Sequence, residues 1–172
     1  MDSGTATAEG VSAIESGQWT TVNRQTGLST DYLNHFNEVV MTFELIASMP
    51  DCIDELADWR PMTYAEHFRQ SGLRDGAAAI GAYGEADPTI RRVFDEIILN
   101  LSTVLLDGVS EVRHLTEEGR PEVAALKVEE TVSLARRLID RASAVVNGYD
   151  VMRDPADTPQ DDPQALADAL FD

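Results

Sequence analysis

Two pairs of side chains in this 172-residue chain have the spacing of metal ligands on a helix, and two more pair an acid with an amide. Glu111-x-x-His114 puts a carboxylate and an imidazole on one helical face, the element from which di-metal sites in helical bundles are built. Glu111 continues the Ile97, Val104 line of its segment, so it is expected to turn partly inward. His35-x-x-Glu38 offers the same two groups in reversed order, with Glu44 further along. A di-metal centre needs the Glu-x-x-His motif twice and two more carboxylates, so Glu111, His114, His35 and Glu38 form an incomplete set. Glu66-x-x-x-Gln70 and Glu96-x-x-x-Asn100 each place an acid and an amide one helical turn apart, facing whatever approaches that side. For such pairs a solvated face is the ordinary outcome, and a histidine near a helix end ordinarily meets the helix dipole.

The elements that would position these groups can be read from period and punctuation. Residues 88–147 read as two long helices joined by a tight turn. Asp87 is an N-cap and Pro88 suits the first helical position, where no N–H is needed. Ile90, Phe94, Ile97, Leu101 and Val104 recur at three and four, with Ile98, Leu105 and Val112 widening the stripe, and Glu96 and Asn100 lie off it. Gly119 allows a left-handed C-cap and Pro121 starts the return helix, which carries Ala124, Val128, Ala135, Leu138, Ala142 and Val145 and stops near Gly148. Ahead of this hairpin, Ser29 and Thr30 are cap residues for a helix whose buried face includes Tyr32, Leu33, Phe36, Val39, Val40, Phe43 and Ile46, ending at Met49-Pro50. Residues 50–58 form a short helix with Ile53 and Leu56 inward, and Trp59 and Pro61 mark a corner. Thr63-x-x-Glu66 is a capping box. It starts a helix through Tyr64, His67 and Phe68, and Gly72 and Gly76 leave open one element or two short helices, the second holding Ala77, Ile80 and Tyr83. The expected fold is all-α: an antiparallel bundle of four main helices plus short ones over residues 29–148. A flexible segment is expected at 1–28 and an acidic, Pro-containing linker with a terminal amphipathic peptide at 149–172.

Composition narrows the function classes. Thirteen basic against thirty-one acidic side chains give a formal charge of -18, a field that repels nucleic acid and anionic lipid. Cys52 is the single cysteine, which leaves no disulfide framework and no thiolate metal cluster. Met1 to Gly10 lacks the cationic and apolar regions of a signal peptide, and no apolar run approaches the roughly 20 residues of a membrane span. A cytoplasmic protein is expected. Phosphate-cradling loops and nucleophile triads are absent; Gly72, Gly76, Gly81 and Gly84 come after no strand.

The tail is the oddest stretch. Asp150 to Asp162 is rich in Asp and Pro and reads as a self-repelling linker; after Asp162-Pro163, residues Leu166, Ala169, Leu170 and Phe171 form one apolar edge. A peptide of this kind either folds back on its own bundle or lies in another protein's groove, and a linker raises its local concentration. Gln160-Asp161-Asp162 followed by Leu166, Asp168, Leu170 and Phe171 resembles the terminal tail of the chemotaxis phosphatase family CheZ. That resemblance covers about the last dozen residues, and Pro163 and Gln164 depart from the family's apolar and acidic positions. It implies a long helical hairpin that can pair into a four-helix bundle, and docking of the tail on a receiver domain of the CheY type. It also implies an acid that engages the receiver's lysine, and an amide one turn on that orients water toward the aspartyl phosphate. The full Gln-Asp-x-x-x-Gln segment of that family is absent; Glu66 with Gln70 and Glu96 with Asn100 carry the bare spacing.

Two other resemblances bear on the histidines. His35, His67 and His114 equal in number the three metal ligands of DinB-like bundles without their spacing, and a ferritin-like or DinB-like metal enzyme is the alternative to the binding reading. Asn34-His35-Phe36-Asn37-Glu38 resembles the dimerisation helices of histidine kinases, except that Phe36 stands where a polar residue usually comes after the histidine. The leading expectation is a signalling protein that binds a receiver domain through Leu166, Asp168, Leu170 and Phe171, with CheZ-like phosphatase action as an extension. No cofactor is expected for it, a homodimer is compatible with it, and a purely structural bundle is the third reading.

Overall fold

A computed structural model of the protein describes residues 21–46 and 48–149. It is all-α. A 3-10 turn (Thr30–Leu33) leads into α1 (Asn34–Ile46), and a second 3-10 segment (Pro50–Leu56) comes next. Then come α2 (Tyr64–Gln70), α3 (Gly76–Glu85), α4 (Pro88–Glu117) and α5 (Pro121–Val146). Among the described residues no helix is long and apolar enough to cross a membrane.

The α4–α5 hairpin forms as its punctuation dictates. Asp87 accepts hydrogen bonds from the N–H groups of Thr89 (2.7 Å) and Ile90 (3.3 Å), which pins the start of α4. Both helices end in a Schellman turn. At α4, Gly119 at φ 70° lets its N–H bond the Thr116 carbonyl while Arg120 bonds that of Leu115. At α5, Gly148 at φ 76° and Tyr149 do the same with Val145 and Ala144. The hairpin's inner face buries Phe94, Leu101, Leu105 and Val112 against Val128, Ala135, Ala142 and Val145. α1 lies along α5 and contributes Phe36, Val40 and Phe43 to the same core. In place of a fourth long helix the chain has the short helices α2 and α3, which pack on each other, α2 also meeting the 3-10 turn at Thr30–Leu33. Gly72 at φ 65° breaks the chain between them.

Several details differ from expectation. α1 stops at Ile46 and is preceded by a tighter 3-10 turn, with Ser29 capping through Asp31 N–H (3.2 Å). Residues 50–56 are 3-10 rather than α, though Ile53 and Leu56 do point inward. In α3 the buried residues are Gly76, Ala79 and Ala82; Ala77 is exposed, while Ile80 and Tyr83 are half-buried. Within the segment expected to be flexible, residues 21–28 are packed. Val22, Thr26 and Leu28 are buried, and the Thr26 hydroxyl donates to the Val146 carbonyl at 2.7 Å, clasping the end of α5 from 120 residues away. Gly27, at φ 72°, passes so close to α3 that a Cβ there would lie 2.8 Å from the Ala82 carbonyl oxygen. The linker and terminal peptide, with Leu166, Asp168, Leu170 and Phe171, lie outside the described residues.

Candidate functional site

Most of the side chains with chemical potential gather at the end of the bundle where α1, α2, α3 and the start of α4 meet. His35 projects from α1 and is 7% exposed. Its Nε2 accepts the N–H of Met62 at 3.0 Å, while the Tyr32 hydroxyl donates to the Met62 carbonyl at 2.7 Å. Both backbone groups of Met62 are thus held by side chains from one helical face, which fixes the corner 57–63 on which α2 starts. Trp59 closes this corner, its ring 5.4 Å from His35 and tilted by 30°. The Trp59 indole N–H is buried without a partner among the described residues.

His67, from α2, sits 6.2 Å from His35 between ring centroids and packs edge-on against Tyr32 at 5.6 Å. Burial lowers the pKa of both imidazoles, and the nearness of His67 lowers that of His35 further; Glu38 pulls against the trend in each case. An imidazole that accepts an N–H at Nε2 is neutral or metal-bound, so the geometry and the direction of the shift agree for His35. Tyr32 and Tyr64 also have raised pKa values, chiefly from burial. Tyr64 accepts the Ser29 N–H at 2.9 Å and stacks on Tyr83 at 4.5 Å, and Tyr83 donates to Asp95 at 2.6 Å.

Between α1 and α2 a cleft of about 450 Å³ opens onto this imidazole pair. Asp31 and Glu38 stand on its α1 side, Gln70 and Ser71 on its α2 side. Four of the residues singled out from the sequence, His35, Glu38, His67 and Gln70, therefore share one cavity. The pairing of His67 with His35 gave no spacing signal because the two come from different helices.

The metal set does not assemble. Glu111 is exposed, not inward, and its carboxylate takes the Lys127 ammonium at 2.8 Å. The reason is geometric: Ile97, Val104 and Glu111 are spaced by sevens, and a straight helix drifts about 20° per heptad. The line that is buried at Ile97 is half-buried at Val104 and outside by Glu111. His114 is exposed too and pairs with Glu118 at 3.4 Å, while His35 and Glu38 stand in the α1–α2 cleft. Among the described residues no group of three or more His, Cys, Asp or Glu side chains is placed to hold a metal ion. Phosphotransfer from His35, the role that the resemblance to histidine-kinase dimerisation helices implies, meets a different obstacle: the side chain is buried and its Nε2 already engaged.

Of the two acid–amide pairs, Glu66 is committed to its capping box. Its Oε2 accepts from Thr63 N–H at 2.8 Å and from Thr63 Oγ1 at 2.7 Å, and these bonds hold its pKa below the usual glutamate value. Glu96 and Asn100 are both exposed, as their place off the stripe predicted. Glu96 makes a surface pair with Arg92 at 3.1 Å, an interaction worth little and readily exchanged. Beside them on the same face stands Leu99, 68% exposed. No protein-family model, no curated protein and no solved structure matches this chain.

Proposed function

We propose that the protein is a signalling module that binds a receiver-type domain, holding it with the terminal peptide and meeting it with the outer face of α4. The observation that carries this reading is the uncovered Leu99 beside Glu96 and Asn100. A leucine exposed to 68% next to an acid and an amide one turn apart is the composition of a small contact surface, apolar in the middle and polar around it. The hairpin turns at Gly119, so Glu96, well toward the start of α4, lies at the same end of the bundle as Gly148, from which the chain runs on toward the peptide. That juxtaposition supports a tether and a contact face acting together. In the finer form implied by the resemblance to the CheZ family, Glu96 would engage the receiver's lysine. Asn100, an amide on a shorter stem than glutamine, would orient water at the aspartyl phosphate.

The test uses purified receiver domains and measures binding by the full chain, by a version ending at Gly148, and by Leu170→Ala/Phe171→Ala. Loss of binding in both altered forms with an unchanged melting temperature supports the proposal. Equal binding by all three refutes it, and a fall of several degrees in melting temperature assigns the peptide to the protein's own bundle instead. Asn100→Ala separates docking from catalysis: retained affinity with a longer phosphoryl lifetime on the receiver supports the finer form, and an unchanged lifetime leaves docking alone.

A further inference from the structure

The cleft between α1 and α2 has a chemistry of its own, separate from the face around Leu99. Its volume, about 450 Å³, is in the range of small-molecule sites. Asp31 and Glu38 bring carboxylates to it, and among the described residues neither an arginine nor a lysine lines it. The His35 imidazole is already spent on Met62 N–H, and neither it nor His67 adds positive charge when neutral. Asn34 and Gln70 offer amide oxygens, and Met62 and Leu73 supply an apolar wall. Among the described residues an anion entering this cleft meets two carboxylates and no cationic side chain, within a chain of formal charge -18. A bare divalent metal needs three or more well-placed ligands, which the described residues do not supply. The ligand that fits is a cation bringing its own N–H donors and an apolar stem.

We propose that the α1–α2 cleft binds a small organic amine, its ammonium drawn to the acidic side lined by Asp31 and Glu38 and its alkyl chain against Met62 and Leu73. The ammonium has three donors and no acceptor, which matches a rim made of acceptors. Hydrogen bonds to charged groups make the two carboxylates the main source of affinity. His35 acts as a positioning residue: by holding Met62 N–H it fixes the apolar wall, without needing to touch the ligand.

The experiment titrates the full chain with putrescine and monitors the histidine ring protons by NMR, alongside calorimetry. Succinate, of similar length and opposite charge, and Zn2+ are titrated in parallel. Saturable shifts of the His35 and His67 rings with a Kd of about 1 mM or tighter are expected. A loss of about tenfold or more is expected in Asp31→Asn/Glu38→Gln, whose side chains keep their shape. The single variant Glu38→Gln, at an exposed position, gives a partial loss and guards against a folding defect in the double variant. No saturable shift, an equal affinity in the double variant, comparable binding of succinate, or stoichiometric Zn2+ binding at these rings each overturns the proposal.

Discussion

Replacing Gly108 by alanine tests whether α4, α5 and α1 meet as closely as described. A Cβ at Gly108 would lie 2.5 Å from Thr131 Cγ2, 2.8 Å from Thr131 Oγ1 and 3.2 Å from Phe43 Cζ. Neither neighbour can move aside easily, since Thr131 is 2% exposed and Phe43 is fully buried. Overpacking of this kind costs about 1–3 kcal/mol, toward the upper end here because two atoms fall inside 3.0 Å. Against it stands the helix-propensity gain of alanine over glycine, about 1 kcal/mol. The clash wins, and Gly108→Ala should lose about 1–2 kcal/mol of stability, a fall of roughly 2–8 °C in Tm. Urea unfolding monitored by circular dichroism measures it. Adding Thr131→Ala removes both of the closest atoms, so the double variant should recover about 1–2 kcal/mol relative to additivity. A Gly108→Ala protein as stable as the parent, or more stable, would mean that propensity prevails and the helices do not touch there.

Single contacts give further expected outcomes. Thr26→Val keeps the shape but takes away the hydroxyl that clasps the Val146 carbonyl, and should cost about 1–3 kcal/mol in urea unfolding. Asp87→Ala removes the acceptor for two N–H groups at the start of α4 and should cost about 1 kcal/mol by the same measurement. The lowered pKa of His35 makes stability pH-dependent. The folded state binds its proton less readily than the unfolded state, so the stabilisation is fully present above the unfolded value of about 6.5 and is lost as pH falls below it. The slope contributed by this group is at most about 1.4 kcal/mol per pH unit, and chemical unfolding between pH 7 and 5 should show it flattened in His35→Gln.

The hairpin was legible because its signals are local: a 3.6-residue period, an acid before a proline at one end, and glycines where the chain must turn left-handed. The fate of Glu66 was legible for the same reason, since Thr63 three residues earlier claims it. Over the seven residues of Pro50–Leu56, periods of 3.0 and 3.6 place the apolar residues alike, so the 3-10 form left no mark. Glu111 misled because extending a seven-residue line ignores the drift of a straight helix. The packing of residues 21–28 depends on Val146, and the cleft on a histidine 32 positions from its companion; neither relation has a period. The burial of His35 was the hardest to read, because it rests on a bond to Met62 that forms only once the corner at 57–63 is in place.

The central claim is that the terminal peptide itself grips a receiver. A synthetic peptide of residues 160–172, titrated into a complex of the full chain with a purified receiver domain, measures this without altering either protein. Competitive displacement is the expected result, absent when Leu170 and Phe171 are alanine in the peptide. A complex that resists the peptide at any accessible concentration, while still forming with a chain that ends at Gly148, would contradict the claim.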